Sequence, residues 1–226
     1  MIIDLAAEAD RSAARPANTS GQPAVGGGRD TEDMASIALF HSVLGVRTGV
    51  LDAAGRLRAA GHDVQVVDQY GGRVFDDYKE ASAFAESIGY PVLMQRAADA
   101  VQDLPDGFVA AGFSNGGGMS EYVATRRPVA GVLMLSGALA LDMIGVEQWP
   151  AGMPGQIHYT VDDPFRNQDG IDAVLAKARE ANADVTMFDY PGRGHLFTDA
   201  SLPGEFDADA TELVWERVLA FSALID

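Results

Sequence analysis

The sequence predicts an α/β fold: a mostly parallel sheet with helices on both faces. Three observations carry that reading. From Ser36 onward, short apolar segments alternate with segments of helical periodicity, as a parallel sheet with crossover helices requires. The strand segments are continuous apolar runs, the pattern of strands buried on both faces. Finally, Gly112-Phe-Ser-Asn-Gly116 follows the apolar run from Phe108 and precedes a helix-like segment, placing G-x-S-x-G in the strand–turn–helix setting that gives it chemical meaning.

Residues 1–33 stand apart. Ala, Gly, Pro, Ser and acids dominate, and after Leu5 the only sizeable aliphatic is Val25. Such a stretch cannot bury enough apolar surface to offset its ordering entropy. It reads as a flexible extension, with Met1–Leu5 as an alternative edge strand and Met34 as a candidate natural start. The folded domain is expected over 34–226.

The elements follow in order. A first strand covers Ser36 to His41, and a loop covers Ser42 to Thr48. Val50, Leu51, Ala54 and Leu57 repeat at helical spacing until Gly61. Val64 to Val67 is a strand, Asp68 to Arg73 a Gly-containing loop, and Tyr78 to Ile88 a short helix. Pro91 opens a helix to about Val101, since proline suits a first helical turn. The strand at 108–112 leads into the Ser114 turn, and a helix is expected from Met119 to Arg127. Val129 to Ser136 is a strand, followed by a loop holding Trp149-Pro150. Gln156 to Val161 is a strand, Ile171 to Asn182 a helix, Val185 to Tyr190 a strand, and Thr211 to Leu224 the last helix.

Composition narrows the function. In 226 residues there are 16 basic and 33 acidic side chains, a formal net charge of −17. That surface repels phosphate backbones and anionic membranes, so neither nucleic acid nor membrane is an expected partner. No cysteine is present, which removes disulfides, zinc–thiolate sites and a cysteine nucleophile. The acids near the N-terminus do not fit a signal peptide, and no apolar run reaches the roughly 20 residues that span a bilayer. The expected location is cytoplasmic. A phosphate-binding loop is excluded at the Gly-rich turn, which lacks the Lys-Ser/Thr step and the G-x-G-x-x-G spacing.

Functional residues of such sheets gather beyond the C-terminal ends of the strands. Ser114 stands there, and Gly112 and Gly116 give the small side chains that a sharp strand-to-helix turn demands. A serine nucleophile needs a base. Of the four histidines, His62 lies at the opposite edge, His158 falls inside a strand as a structural histidine, and His41 comes too early in the chain. His195, in Tyr190-Pro-Gly-Arg-Gly-His195 after the last strand, fits. Asp162 and Asp163 follow the preceding strand and offer the orienting acid. Backbone N–H groups of Asn115 and of Val43, after the first strand, are the expected oxyanion donors.

The stretches His41-Ser-Val-Leu-Gly45, Gly112-Phe-Ser-Asn-Gly116, Asp163-Pro-Phe165 and Tyr190-Pro-Gly-Arg-Gly-His195 resemble the dienelactone hydrolase family of α/β-hydrolases, over about Ser36 to the C-terminus. The resemblance implies a minimal α/β-hydrolase fold without a lid domain, acting on esters or lactones with no metal and no cofactor. It selects Asp163 over Asp162, giving Ser114, Asp163 and His195 as the triad. Three departures accompany it: the best-known members carry cysteine at Ser114, glutamate at Ser42, and a carboxylate-binding arginine at Asp199.

Ser42, Phe113, Phe165, Phe197, Trp149, Tyr70 and Arg73 are candidate pocket residues, with Tyr78 on the same edge of the sheet. Arg73 is the candidate replacement for the absent cation, and Trp215 reads as packing in the last helix. The expected activity is that of a serine esterase acting on a small ester or lactone through an acyl-enzyme, as a monomer or small homo-oligomer. The alternatives are acyl transfer or thioester cleavage by the same triad, and a non-catalytic binding protein of this fold.

Overall fold

The computed structural model describes residues 35–224. The expected extension over 1–33, the alternative strand at Met1–Leu5 and the candidate start at Met34 lie outside the described residues. The strands are β1 (Ser36–Phe40), β2 (Asp63–Val67), β3 (Phe108–Phe113), β4 (Val129–Leu135), β5 (Gly155–Thr160) and β6 (Val185–Tyr190). The helices are α1 (Thr48–Ala59), α2 (Tyr78–Ile88), α3 (Tyr90–Ala100), α4 (Asn115–Ala124), α5 (Gln168–Glu180) and α6 (Ala208–Ser222). A 3₁₀ turn at Leu141–Ile144 interrupts the long loop before Trp149.

All neighbouring strands pair in parallel, in the order β2-β1-β3-β4-β5-β6. Every residue of β3 and β5 is buried, because both faces are covered. This explains the unbroken apolar run of β3, while in β5 the polar Gln156, His158 and Thr160 are buried as well. Helix starts follow local chemistry. The side chains of Asp77, Asn167 and Asp207 accept the N–H groups of Glu80, Gly170 and Ala210, each cap contributing about 1 kcal/mol. Gly89, at φ 91°, separates α2 from α3, and Pro91 stands in the first turn of α3.

Several element ends differ from expectation by one to three residues, α5 and α6 each starting three residues early, and the largest difference is at α4. Helix α4 begins at Asn115, directly after the serine, and ends at Ala124; the sequence reading placed it at Met119 to Arg127. Three consecutive glycines, 116 to 118, signal a turn, since each costs a helix roughly 1 kcal/mol relative to alanine. Close packing overrides that preference. A Cβ on Gly116 would strike the carbonyls of Phe40 and His41, and one on Gly117 the carbonyl of Gly137. The glycines let the first turn of α4 press onto the ends of β1 and β4, while Met119 and Val123 are buried beyond them.

The chain runs from β1 outward to β2, then crosses to β3 on the other side of β1. The order reverses at β1 and β3, and open α/β sheets bind ligands at such a switch point. Ser114 follows β3 and Val43 follows β1. Among the described residues, no helix is long and apolar enough to cross a membrane.

Candidate active site

Ser114 sits at φ 51° and ψ −116°, a conformation that costs a non-glycine residue about 1–3 kcal/mol. Its neighbours hold it there. The Ser114 N–H donates to Leu135 O at 2.7 Å, and its own carbonyl accepts from Gly117 N–H at 2.8 Å. A Cβ on Gly112 would meet the carbonyl of Gly116, and one on Gly137 the carbonyl of Ser114. The turn is therefore clamped by backbone on two sides, and Asn115 occupies the first helical position, where an N–H has no acceptor within its own helix.

His195 arrives from the loop after β6. Thr160 Oγ1 donates to Gly194 O at 2.8 Å, and Leu196 N–H donates to a carboxylate oxygen of Glu205 at 2.7 Å. The imidazole thus held has Ser114 Oγ 2.7 Å from its Nε2 and Asp163 Oδ2 2.8 Å from its Nδ1. A carboxylate only accepts, so Nδ1 carries the proton toward Asp163 and Nε2 accepts from the serine hydroxyl. Asp163 is fixed in turn, since its Oδ1 accepts the N–H of Phe165 at 2.8 Å. Its side chain is fully buried, whereas Asp162 is exposed. Ser114, His195 and Asp163 thus form one hydrogen-bonded chain from three separate loops.

Beside Ser114 opens a cavity of about 480 Å³, whose lining includes Val43, Asn115, Tyr78, Phe165 and His195. That volume lies within the roughly 300–1,000 Å³ usual for small-molecule sites. The Phe165 ring centroid is 4.7 Å from that of His195, and that of Tyr78 is 6.0 Å away. The Tyr78 hydroxyl donates to Glu205 at 3.0 Å. Burial, reinforced by that carboxylate, pushes its phenol above the usual tyrosine range, so it stays protonated.

A model of the dienelactone hydrolase family matches residues 24–224. The chain belongs to this family. Among solved structures, a dienelactone hydrolase-like promiscuous phosphotriesterase from metagenomic libraries is similar at a TM-score of 0.71 and 21% identity, with 84% of this chain and 86% of that one covered. A dienelactone hydrolase from Anabaena variabilis gives 0.55 and 21%, covering 81% and 85%. A Bacillus cereus carboxylesterase gives 0.52 and 19%, covering 86% and 91%. At these identities the likeness carries the fold. No curated protein matches the chain.

Family membership makes the chain a carboxylic ester hydrolase, and it sharpens the contrast between expected and observed pocket residues. Phe165 lines the cavity. Ser42, Phe113, Phe197, Tyr70, Arg73 and Trp149 do not, and each has a packing or hydrogen-bonding reason. Ser42 turns back so that its Oγ accepts the N–H of Leu44 at 3.2 Å. Phe113 ends a strand whose residues are all buried. Phe197 packs on Tyr190, and Tyr70 lies among His41, Phe75 and Phe84. Arg73 places its guanidinium 5.0 Å from the Phe84 ring centre. Trp149 donates to Met153 O inside a separate core cluster.

Asp199 is buried and faces Arg47 Nε at 3.4 Å, while its Oδ1 accepts from Ser201. The residue that replaces the family's arginine thus ties the His195 loop to the start of α1. His41 donates from Nδ1 to Ser42 O at 2.6 Å and accepts the N–H of Gln69 at Nε2, which joins the ends of β1 and β2. His158 is held by Tyr190 and Gln156, as a structural histidine. Glu205 and the cavity methionines Met94, Met119 and Met143 escaped the sequence reading. Nothing local marks them, because helices, a 3₁₀ turn and a distant loop bring them together.

Proposed function

We propose that this protein cleaves a small carboxylic ester or lactone through an acyl-enzyme on Ser114. The observation that carries the reading is the unbroken chain Ser114 Oγ–His195–Asp163, at 2.7 and 2.8 Å, opening onto the cavity. The Ser114 oxygen attacks the ester carbonyl carbon as His195 Nε2 takes the hydroxyl proton. The tetrahedral oxyanion is met by the N–H groups of Val43 and Asn115, donors of the kind whose single loss costs about 10²–10³ in turnover. Collapse breaks the bond to the leaving oxygen, which takes the proton from His195. Water then attacks the acyl-enzyme with His195 again as base, releasing the carboxylic acid and restoring Ser114. Asp163 holds the imidazole in the productive tautomer and stabilises its cationic form.

The test is labelling with a fluorophosphonate probe and mass spectrometry of the modified peptide, paired with hydrolysis of short nitrophenyl esters. Ser114 is expected to be the modified residue, with labelling lost in His195→Ala and ester hydrolysis lost in Ser114→Ala. A folded protein that takes no label and turns over no ester would overturn the reading in favour of a binding protein.

A further inference from the structure

The cavity beside Ser114 has a wall that the proposed chemistry does not use. Besides Ser114 and His195 the cavity is lined by Tyr90 and Met94 of α3, Met119 of α4, Leu139, and Met143 of the 3₁₀ turn. Of the lining residues, Met143 is 61% exposed, Phe165 55% and Tyr90 41%, so large apolar side chains of the cavity stand in water. Such a rimmed apolar surface marks a site that binds something apolar. Methionine suits this task, because its unbranched, polarisable side chain moulds to varied shapes.

Charge is the second observation. Among the described residues that line the cavity there is no arginine or lysine. The arginines in the surrounding loops are committed elsewhere or turned outward. Arg47 is paired with Asp76 at 2.6 Å and Asp199 at 3.4 Å, and Arg166 with Asp189 at 2.6 Å. Arg73 lies over Phe84, and exposed Arg193 is absent from the lining. The carboxylates of Asp163 and Glu205 stand directly behind His195 and Tyr78. A substrate carboxylate entering here would lose its hydration and find no cation in the lining to replace it.

We propose that this cavity selects uncharged esters with an apolar acyl chain, seated against Met94, Met119, Leu139 and Met143, and rejects esters whose acyl chain bears a carboxylate. The inference rests on the acyl-enzyme reading above. Its orientation follows from that chemistry: the leaving oxygen must receive a proton from His195 Nε2, so the alcohol lies beside His195, Tyr78 and Phe165. The acyl chain is left the methionine-lined part of the cavity.

The experiment compares kcat/KM for 4-nitrophenyl hexanoate and the mono-4-nitrophenyl ester of adipic acid, corrected for spontaneous hydrolysis. They share a leaving group and chain length, with a carboxylate replacing the terminal methyl. The hexanoate is expected to be favoured at least ~100-fold, since an unpaired charge in an apolar site is strongly rejected. Met143→Arg, at an exposed position that tolerates a long side chain, is expected to narrow that ratio ~10-fold or more by supplying the missing cation. Ratios within tenfold in wild-type protein whose Ser114 takes the fluorophosphonate would overturn the pocket assignment and leave the acyl-enzyme standing. So would a failure of that labelled protein to turn over the hexanoate. Hydrolysis that survives Ser114→Ala would instead remove the acyl-enzyme reading.

Discussion

The carboxylate of Glu205 accepts the N–H of Leu196, the residue that follows His195, at 2.7 Å. Its backbone carbonyl closes the other side, occupying the space that a Cβ on Gly194 would need. Residues 194 and 196 are thus both held by residue 205, with the imidazole between them. Tyr78 adds a second anchor by donating to the same carboxylate. Glu205→Ala is expected to lower kcat by about 10- to 100-fold with a smaller change in KM, since a misplacement of an ångström costs up to that much. Glu205→Gln, which still offers an oxygen to Leu196, recovers part of the loss. Equal kcat in all three proteins would show that the loop needs no such brace.

Asp163→Asn tests the orienting acid. The amide keeps the shape but can present an N–H to Nδ1, which favours the wrong imidazole tautomer. A fall of about 10⁴ in kcat is the magnitude known for this change in a serine triad. Circular dichroism and melting temperature separate this from misfolding. A loss below tenfold would remove Asp163 from the mechanism.

The glycines divide into those that crowd and those that do not. Gly55 in α1 is exposed, with nothing within 4 Å of a Cβ built there, so Gly55→Ala is expected to stabilise by about 0.5–1 kcal/mol. Gly137→Ala drives a methyl into the Ser114 carbonyl, and overpacking against backbone costs about 1–3 kcal/mol or more. Activity is expected to fall with stability in the second variant only. Urea melts and ester turnover read both effects.

Acid stability depends on His158. Burial, with Arg217 adding to it, pushes its imidazole down from 6.5 to about 3. Between those values the unfolded chain binds the extra proton and the folded one does not. Stability is therefore full above pH 6.5 and lost as pH falls toward 3, by at most about 1.4 kcal/mol per pH unit. His158→Gln is expected to flatten this slope in urea melts between pH 7 and pH 5. An unchanged slope would place the acid sensitivity elsewhere.

Glu121 acts in the opposite direction. It is fully buried, its Oε2 accepts the N–H of Leu139 at 2.8 Å, and its Oε1 has no partner. Burial raises its carboxyl well above 4.5. Above that value the folded state holds a proton that the unfolded state has released, so stability declines as pH rises. Glu121→Gln is expected to melt higher than wild type at pH 8 and to lose the advantage at pH 4.5. A variant less stable at pH 8 would contradict the sign.

The sequence by itself determined the α/β class, most strand positions, the Ser114 turn and the candidates His195 and Asp162 or Asp163, because these depend on local periodicity, on glycines beside a strained residue, and on the rule that such sheets gather function at one edge. The choice of Asp163 came from the family resemblance. The sequence was silent on the cavity wall. Met94 and Met119 carry the ordinary pattern of helix residues and Met143 lies in a loop, and only the packing of α3, α4 and the 3₁₀ turn brings them to one cavity with Ser114. The same holds for the start of α4, where close backbone approach outweighs the poor helix propensity of three glycines. Tertiary structure also decided that Tyr70 and Phe197 are core, that Asp199 meets Arg47, and that Glu205 braces His195. Those contacts join residues as far apart as Arg47 and Asp199, and no local preference in the chain encodes a partner at that distance.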